Sequence, residues 1–179
     1  GDLVMAEEAI LKLPEDIQII GNVEARGYDA RYIKTYKDVL VARNRGLIDK
    51  VTIWKDKGKN RIVDVGVSQI WDVVVGSNTN YPSHCQNGTG STAVTAGDTV
   101  LATPLTPRVA VNYKYRAGLS VKFDTFFDKN TENGTWAESG LFTALTGGIM
   151  YCRRLYASTF VKATTNTATV TWTWTLAPQ

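Results

Sequence analysis

The 179-residue sequence holds one histidine, His84, and two cysteines, Cys85 and Cys152. A structural zinc site takes about four ligands and a catalytic one about three with a water, so the ligand types present fall short of a set. Two cysteines do not make a disulfide framework. They pair only if the fold brings them together, and reduced, buried thiols are expected. His84 and Cys85 are adjacent, and adjacent residues of a strand point to opposite faces, which places them badly for sharing a proton or a metal ion. No catalytic group, metal or cofactor is therefore expected. Long apolar runs are also missing: none approaches the roughly 20 residues that a membrane helix needs, so no membrane partner is expected. The opening Gly-Asp-Leu-Val-Met has neither a basic nor an apolar region of the secretory kind, and no secretion signal is expected. A net charge of +3 is too small to argue for nucleic acid as a partner.

What is present is alternation. From Thr167 to Leu176 the threonines 167, 169, 171, 173 and 175 fall on one face, and Ala168, Val170, Trp172, Trp174 and Leu176 on the other. Successive side chains of a strand point to opposite faces, so this stretch predicts a long β-strand with a dry face and a wet one. Threonine suits the wet side, since its branched Cβ favours the pleated backbone while its hydroxyl stays hydrated. Trp172 and Trp174 are expected in the core or an interface, and such a strand needs a sheet beside it and an apolar layer beneath.

Earlier in the chain the charge is segregated. Residues 1–22 carry five acidic side chains against Lys12, a net of −4, and read as an N-terminal arm. Ala6 to Leu13 predicts a short helix stopped by Pro14, with Ile17, Ile19 and Ile20 beyond it. Too short to bury its own apolar face, this arm is expected to dock on the domain or on a neighbouring subunit. Residues 23–62 reverse the sign, with eleven Lys or Arg against five Asp or Glu. Val39 and Val41 alternate around Leu40, and Val51 and Ile53 around Thr52, so this region reads as strands. Asn44-Arg45-Gly46 and Asp56-Lys57-Gly58 read as turns. Its basic residues fit the solvent face of edge strands, where charge discourages aggregation.

Val67, Ile70, Trp71 and Val74 have the spacing of one helical face and predict a short helix at 66–75, with Asp64 as N-cap and Gly76 as stop. Residues 77–108 are rich in Ser, Thr, Asn, Gly and Pro and read mostly as a long ordered loop. Alternating stretches then follow at 109–115, 121–127, 136–142 and 149–156. The expected fold is mainly β: a two-layer antiparallel β-sandwich over residues 23–179, with one short helix and the N-terminal arm.

Four carboxylates invite a catalytic reading. Asp128 and Glu132 lie in a polar loop where solvation accounts for them, and Asp124 falls on the wet face of its strand. Glu138, between Trp136 and Leu141, calls for a buried partner such as a backbone N–H or an arginine. Two Asn-Gly-Thr sequons, at Asn87 and Asn133, read as Asn-Gly turns.

Two further stretches go beyond composition. One runs from Asn87 to Leu105 and contains Gly-Thr-Gly-Ser-Thr-Ala-Val-Thr-Ala-Gly-Asp-Thr-Val-Leu. The other is Gly134-Thr-Trp-Ala-Glu-Ser-Gly-Leu-Phe followed by Gly147-Gly-Ile-Met-Tyr-Cys-Arg-Arg. With the closing Thr-Val-Thr-Trp-Thr, their order and spacing over residues 60–176 resemble a family of tailed-phage structural proteins. In that family a glycine- and threonine-rich loop, an "EAGLF…GG" strand pair and a "TVTWT" strand follow one another. The resemblance implies a non-enzymatic virion protein of the tail, neck, fibre or capsid-decoration type, assembled in the host cytoplasm. Its partners would be copies of itself and other virion proteins. Gly88, Gly90 and Gly97 would let the assembly loop press against protein, and Asp98 would cap its turns. Glu138 beside Gly140 would hold loop backbone amides. Residues 1–22 and the 77–108 loop are expected to carry much of the contact in a symmetric oligomer or lattice. The rival from another class is a carbohydrate-binding module or adhesin taking a host-surface glycan, for which the five Trp and eight Tyr would supply stacking surfaces.

Overall fold

The C-terminal alternation builds the strand Asn166–Pro178, in which Ala168, Val170 and Trp172 are fully buried and Trp174 nearly so. Leu176 is half exposed, so the dry face ends at Trp174. A computed structural model describes residues 17–178. Its elements in chain order are β1 (Ile17–Asp29), α1 (Tyr36–Asn44), α2 (Ile48–Val51), β2 (Thr52–Lys59), β3 (Arg61–Ile62) and α3 (Asp64–Val74). There follow β4 (His84–Gly88), β5 (Val109–Ala110), β6 (Tyr113–Ala117), β7 (Ser120–Phe127), β8 (Gly134–Phe142), β9 (Met150–Lys162) and β10 (Asn166–Pro178). They form two five-stranded antiparallel sheets, ordered β2-β1-β10-β7-β6 and β3-β9-β8-β4-β5. The fold is a mainly β, two-layer sandwich.

The core lies between the sheets. Val23, Phe123, Phe127, Val170 and Trp172 come from the first, and Cys85, Trp136, Leu141, Tyr151 and Cys152 from the second. Aromatic rings meet across the gap: Phe127 stands edge-on to Trp136 at 5.0 Å, and Tyr151 packs at 5.3 Å from Trp174. Trp172 donates its ring N–H to the Cys85 sulfur at 3.4 Å, which joins β10 to β4 through the centre of the fold.

Several expectations are corrected. The expected arm extends to residue 22, but Ile17 to Asn22 pair with Pro178 to Thr173 and belong to the sheet. The helix expected at Ala6–Leu13 lies outside the described residues. The single expected helix is one of three among the described residues. Val39 and Val41 lie in α1, not in a strand. Val39 and Ala42 face inward at helical spacing, while Leu40 and Val41 are exposed. The start of α1 is fixed by a capping box: Asp38 N–H donates to the Thr35 hydroxyl at 3.3 Å, and Thr35 N–H to the Asp38 carboxylate at 2.9 Å.

With α2, this helix covers part of the expected wet face of the sheet. Tyr28, Ile33, Val39, Ala42 and Phe126 form a second apolar cluster there, and Thr167 and Thr169 are buried beneath it. Their hydroxyls are used: Thr167 donates to the Ile33 carbonyl at 2.7 Å, and Thr169 pairs with the Tyr28 hydroxyl at 2.8 Å. Only Thr171, Thr173 and Thr175 stay partly exposed. Asp56-Lys57-Gly58 is the middle of β2 rather than a turn. Asp56 is buried, pairs with Arg154, and accepts the Ala157 N–H at 2.7 Å.

The helix α3 forms close to where it was expected, but its cap and its orientation differ. Val63 occupies the N-cap, Asp64 sits in the first turn, and Gly76 follows the end with φ +74. Its inward residues are Gly66 and Gln69. A Cβ at residue 66 would collide with the Tyr151 backbone, so glycine lets the helix press directly on β9. That contact turns Val67, Trp71 and Val74 outward, and all three are exposed.

Removing the indole at the centre of the sandwich leaves a cavity that the sheets cannot close. Trp172→Ala is expected to cost about 3–5 kcal/mol in urea unfolding; an unchanged midpoint would contradict this account of the core.

Candidate assembly site

The region read as one long loop is divided by β4, which lies inside the second sheet between β8 and β5. Residues 89–108 then run back across the sheet edge. Thr89 N–H donates to Thr103 O at 2.8 Å, Leu105 N–H to Asn87 O at 2.9 Å, and Asp64 N–H to Ala96 O at 2.8 Å. The loop is thereby tied both to its own root and to the start of α3.

Its main anchor is Glu138, which is fully buried on β8. One carboxylate oxygen accepts the N–H groups of Gly90 at 3.2 Å and Thr103 at 2.8 Å. The other accepts Ala102 N–H at 3.1 Å and Arg153 Nε at 2.8 Å. A burial this complete costs a charge several kcal/mol unless every lone pair is satisfied, and here donors converge on both oxygens. Arg153, also buried, carries the link onward: it pairs with Asp98 at 2.7 Å and donates to Thr92 O at 2.9 Å. Burial opposes the charge on Asp98, yet the Thr95 hydroxyl and the Arg153 guanidinium hold its carboxyl below the usual carboxylate range. The Asp98 side chain also accepts the Thr95 N–H at 3.0 Å, closing a turn.

The structure thus brings Gly88, Gly90, Asp98 and Glu138 together. A Cβ at Gly88 would sit 2.6 Å from Thr103 O, and one at Gly90 would meet the Glu138 carboxylate. Gly97 is different. No atom lies within 4 Å of where its Cβ would be, so no close approach requires glycine there.

A second anchor was not foreseen. Glu132, read as a solvated loop residue, is buried. Its backbone takes the left-handed φ of +48, which turns the side chain inward from the β7–β8 loop. One oxygen accepts the backbone N–H of Asn87 at 3.0 Å and its side-chain amide at 2.8 Å; the other has no partner among the described residues. Burial pushes the Glu132 carboxyl up to about 8, although Asn87 opposes this. Lys162 holds the same loop, donating to Asp128 O at 2.6 Å and Thr131 O at 2.7 Å, and burial lowers it to about 8. Sequence offers little warning of either burial, because both depend on the path of a polar loop.

The remaining candidates are structural contacts. His84 Nδ1 lies 2.8 Å from the Ser83 hydroxyl. Cys85 and Cys152 are unpaired and buried, and burial pushes the Cys85 thiol up to about 12, which keeps it protonated. Asp124, expected on a wet face, is buried because α1 covers it. It accepts from Tyr36 Oη at 2.9 Å and Thr171 Oγ1 at 2.6 Å and pairs with Arg43. No group of three His, Cys, Asp or Glu able to hold a metal ion occurs among the described residues.

The chain matches no family model, no curated protein and no solved structure.

Two outcomes follow from these anchors. Glu138→Gln leaves Arg153 with Asp98 as its one remaining counter-charge and is expected to cost about 2–4 kcal/mol in urea unfolding. Amide exchange at Gly90, Ala102 and Thr103 should quicken with it. Glu132 has a folded pKa of about 8 against an ordinary 4.5, so the folded state holds its proton more tightly. The associated stability is present below the ordinary value and is lost as pH rises through the folded one. The melting temperature should fall across that window, and Glu132→Gln should flatten the fall.

Proposed function

We propose that this protein is a non-enzymatic structural subunit of a tailed prokaryotic virus particle, of the tail, neck, fibre or capsid-decoration type. It acts by packing against copies of itself and other virion proteins. One observation carries the reading: the two stretches that resemble the phage family are a single mechanical piece. Glu138, in the strand pair, binds the backbone N–H groups of Gly90, Ala102 and Thr103 in the loop, and Arg153 binds Asp98. A subunit interface works best when its surface keeps one shape before and after contact, because ordering a loop on binding costs free energy. A loop held from beneath by buried charge needs little reordering. The same contacts give glycine at 88 and 90 an assembly rationale that requires no turnover.

Purifying particles from infected host cells and quantifying this chain by mass spectrometry tests the proposal. Stoichiometric incorporation is expected. Its absence from particles, together with glycan-array binding at about micromolar Kd, would replace the reading with a sugar-binding one.

A further inference from the structure

The exposed stripe of α3 leads into a groove at the edge of the first sheet. Val67, the first residue of the stripe, lines that groove together with Gln18, Ile19, Asn60, Arg61 and Ile62. Val67, Trp71, Val74 and Val75 continue the apolar surface along the helix, with Trp71 61% and Val75 72% exposed. A run of this kind on a single helix face is an unpartnered packing surface. β1 is one-sided at the same place. Residues Ile17 to Gly21 pair with β10, whereas β2 joins only from Asn22 onward. Asn60 lines the groove, and both polar atoms of its side chain are without a hydrogen-bond partner among the described residues.

We propose that this groove and the outer face of α3 are the docking site of the chain's own residues 1–16, bound to the same subunit. Three observations select this occupant over a second copy or a foreign partner. The segment joins the sheet at Ile17, next to Gln18 and Ile19 in the groove wall, so it is tethered at the site by a few residues. A tether that short gives a local concentration of roughly millimolar, which no free partner matches at ordinary protein levels. The apolar residues Leu3, Ala6, Ile10 and Leu13 recur at i, i+3, i+7 and i+10, the face of a helix. A helix over Ala6–Leu13 would be about 12 Å long, close to the reach of the Val67–Val74 stripe. The charges also agree. The segment has a net of −4, and Lys59 and Arg61, both exposed beside the groove, make no ion pair among the described residues.

Docking in this form gives the acidic segment a role within the subunit, and it stands whether or not the virion reading does. Trp71 reports on it. Acrylamide quenching of the full chain, compared with the same chain carrying Trp71→Phe, isolates the Trp71 signal. Deleting residues 1–13 should raise Trp71 quenching about twofold or more, since the indole passes from covered to open. Ile10→Asp with Leu13→Asp, in an otherwise complete chain, should do the same, and the protection of Trp71 in the full chain should not change on dilution. Equal quenching of Trp71 in the full chain and both variants would overturn the proposal. So would protection that disappears on dilution together with a dimer mass, because the occupant would then be a second copy. Particle incorporation is a separate readout, so failure here leaves the virion reading to its own test.

Discussion

Register in β10 is the constraint on which the rest of the fold depends. This strand pairs along its whole thirteen-residue length with β1 and along much of it with β7. Because side chains alternate, a slip of one residue would drive threonines into the space of Trp172 and Trp174 and lift the indoles onto the helix-covered face. Both faces of the strand resist such a slip. The inner one is filled by aromatic packing, and the outer one carries Thr167 and Thr169, whose hydroxyls are committed to Ile33 and Tyr28.

Around that fixed strand, the irregular parts of the chain are held by buried carboxylates, one to each segment. Glu138 gathers the 89–108 loop, Asp124 receives Arg43 and Tyr36 from α1, Asp56 takes Arg154 and the backbone at Ala157, and Glu132 reaches the root of β4. Buried ion pairs add little net stability over an apolar replacement, since desolvation offsets most of the attraction. Their value is directional. A carboxylate with donors at fixed angles accepts one arrangement of a loop and rejects its neighbours, which apolar packing alone does less sharply.

The strands around the core were legible because burial on one face writes a period of two into the sequence, as in Trp172 and Trp174 or Phe123 and Phe127. The site was legible where a charge interrupts such a run, as Glu138 does between Trp136 and Leu141. Other features were hidden for identifiable reasons. Val39-Leu40-Val41 suits a strand as well as a helix, and the deciding signal was the Thr35–Asp38 capping pair upstream. The period of α3 located an apolar stripe without saying which side meets the sheet; Gly66, by admitting the Tyr151 backbone, turned the Gly66–Gln69 side inward, with Ile70 of the stripe packed at the core's margin. Glu132 faces inward from a left-handed backbone and is held by Asn87, neither of which composition carries.

The pairing of Ile17 with Pro178 puts the first and last residues of the sheet side by side. Tension applied between them would act across the strands, opening the β1–β10 ladder one hydrogen bond after another rather than shearing many together. The sandwich is therefore mechanically weak when drawn out by its ends and firm when pressed on its faces. Force directed from one sheet to the other through the core would leave that ladder closed.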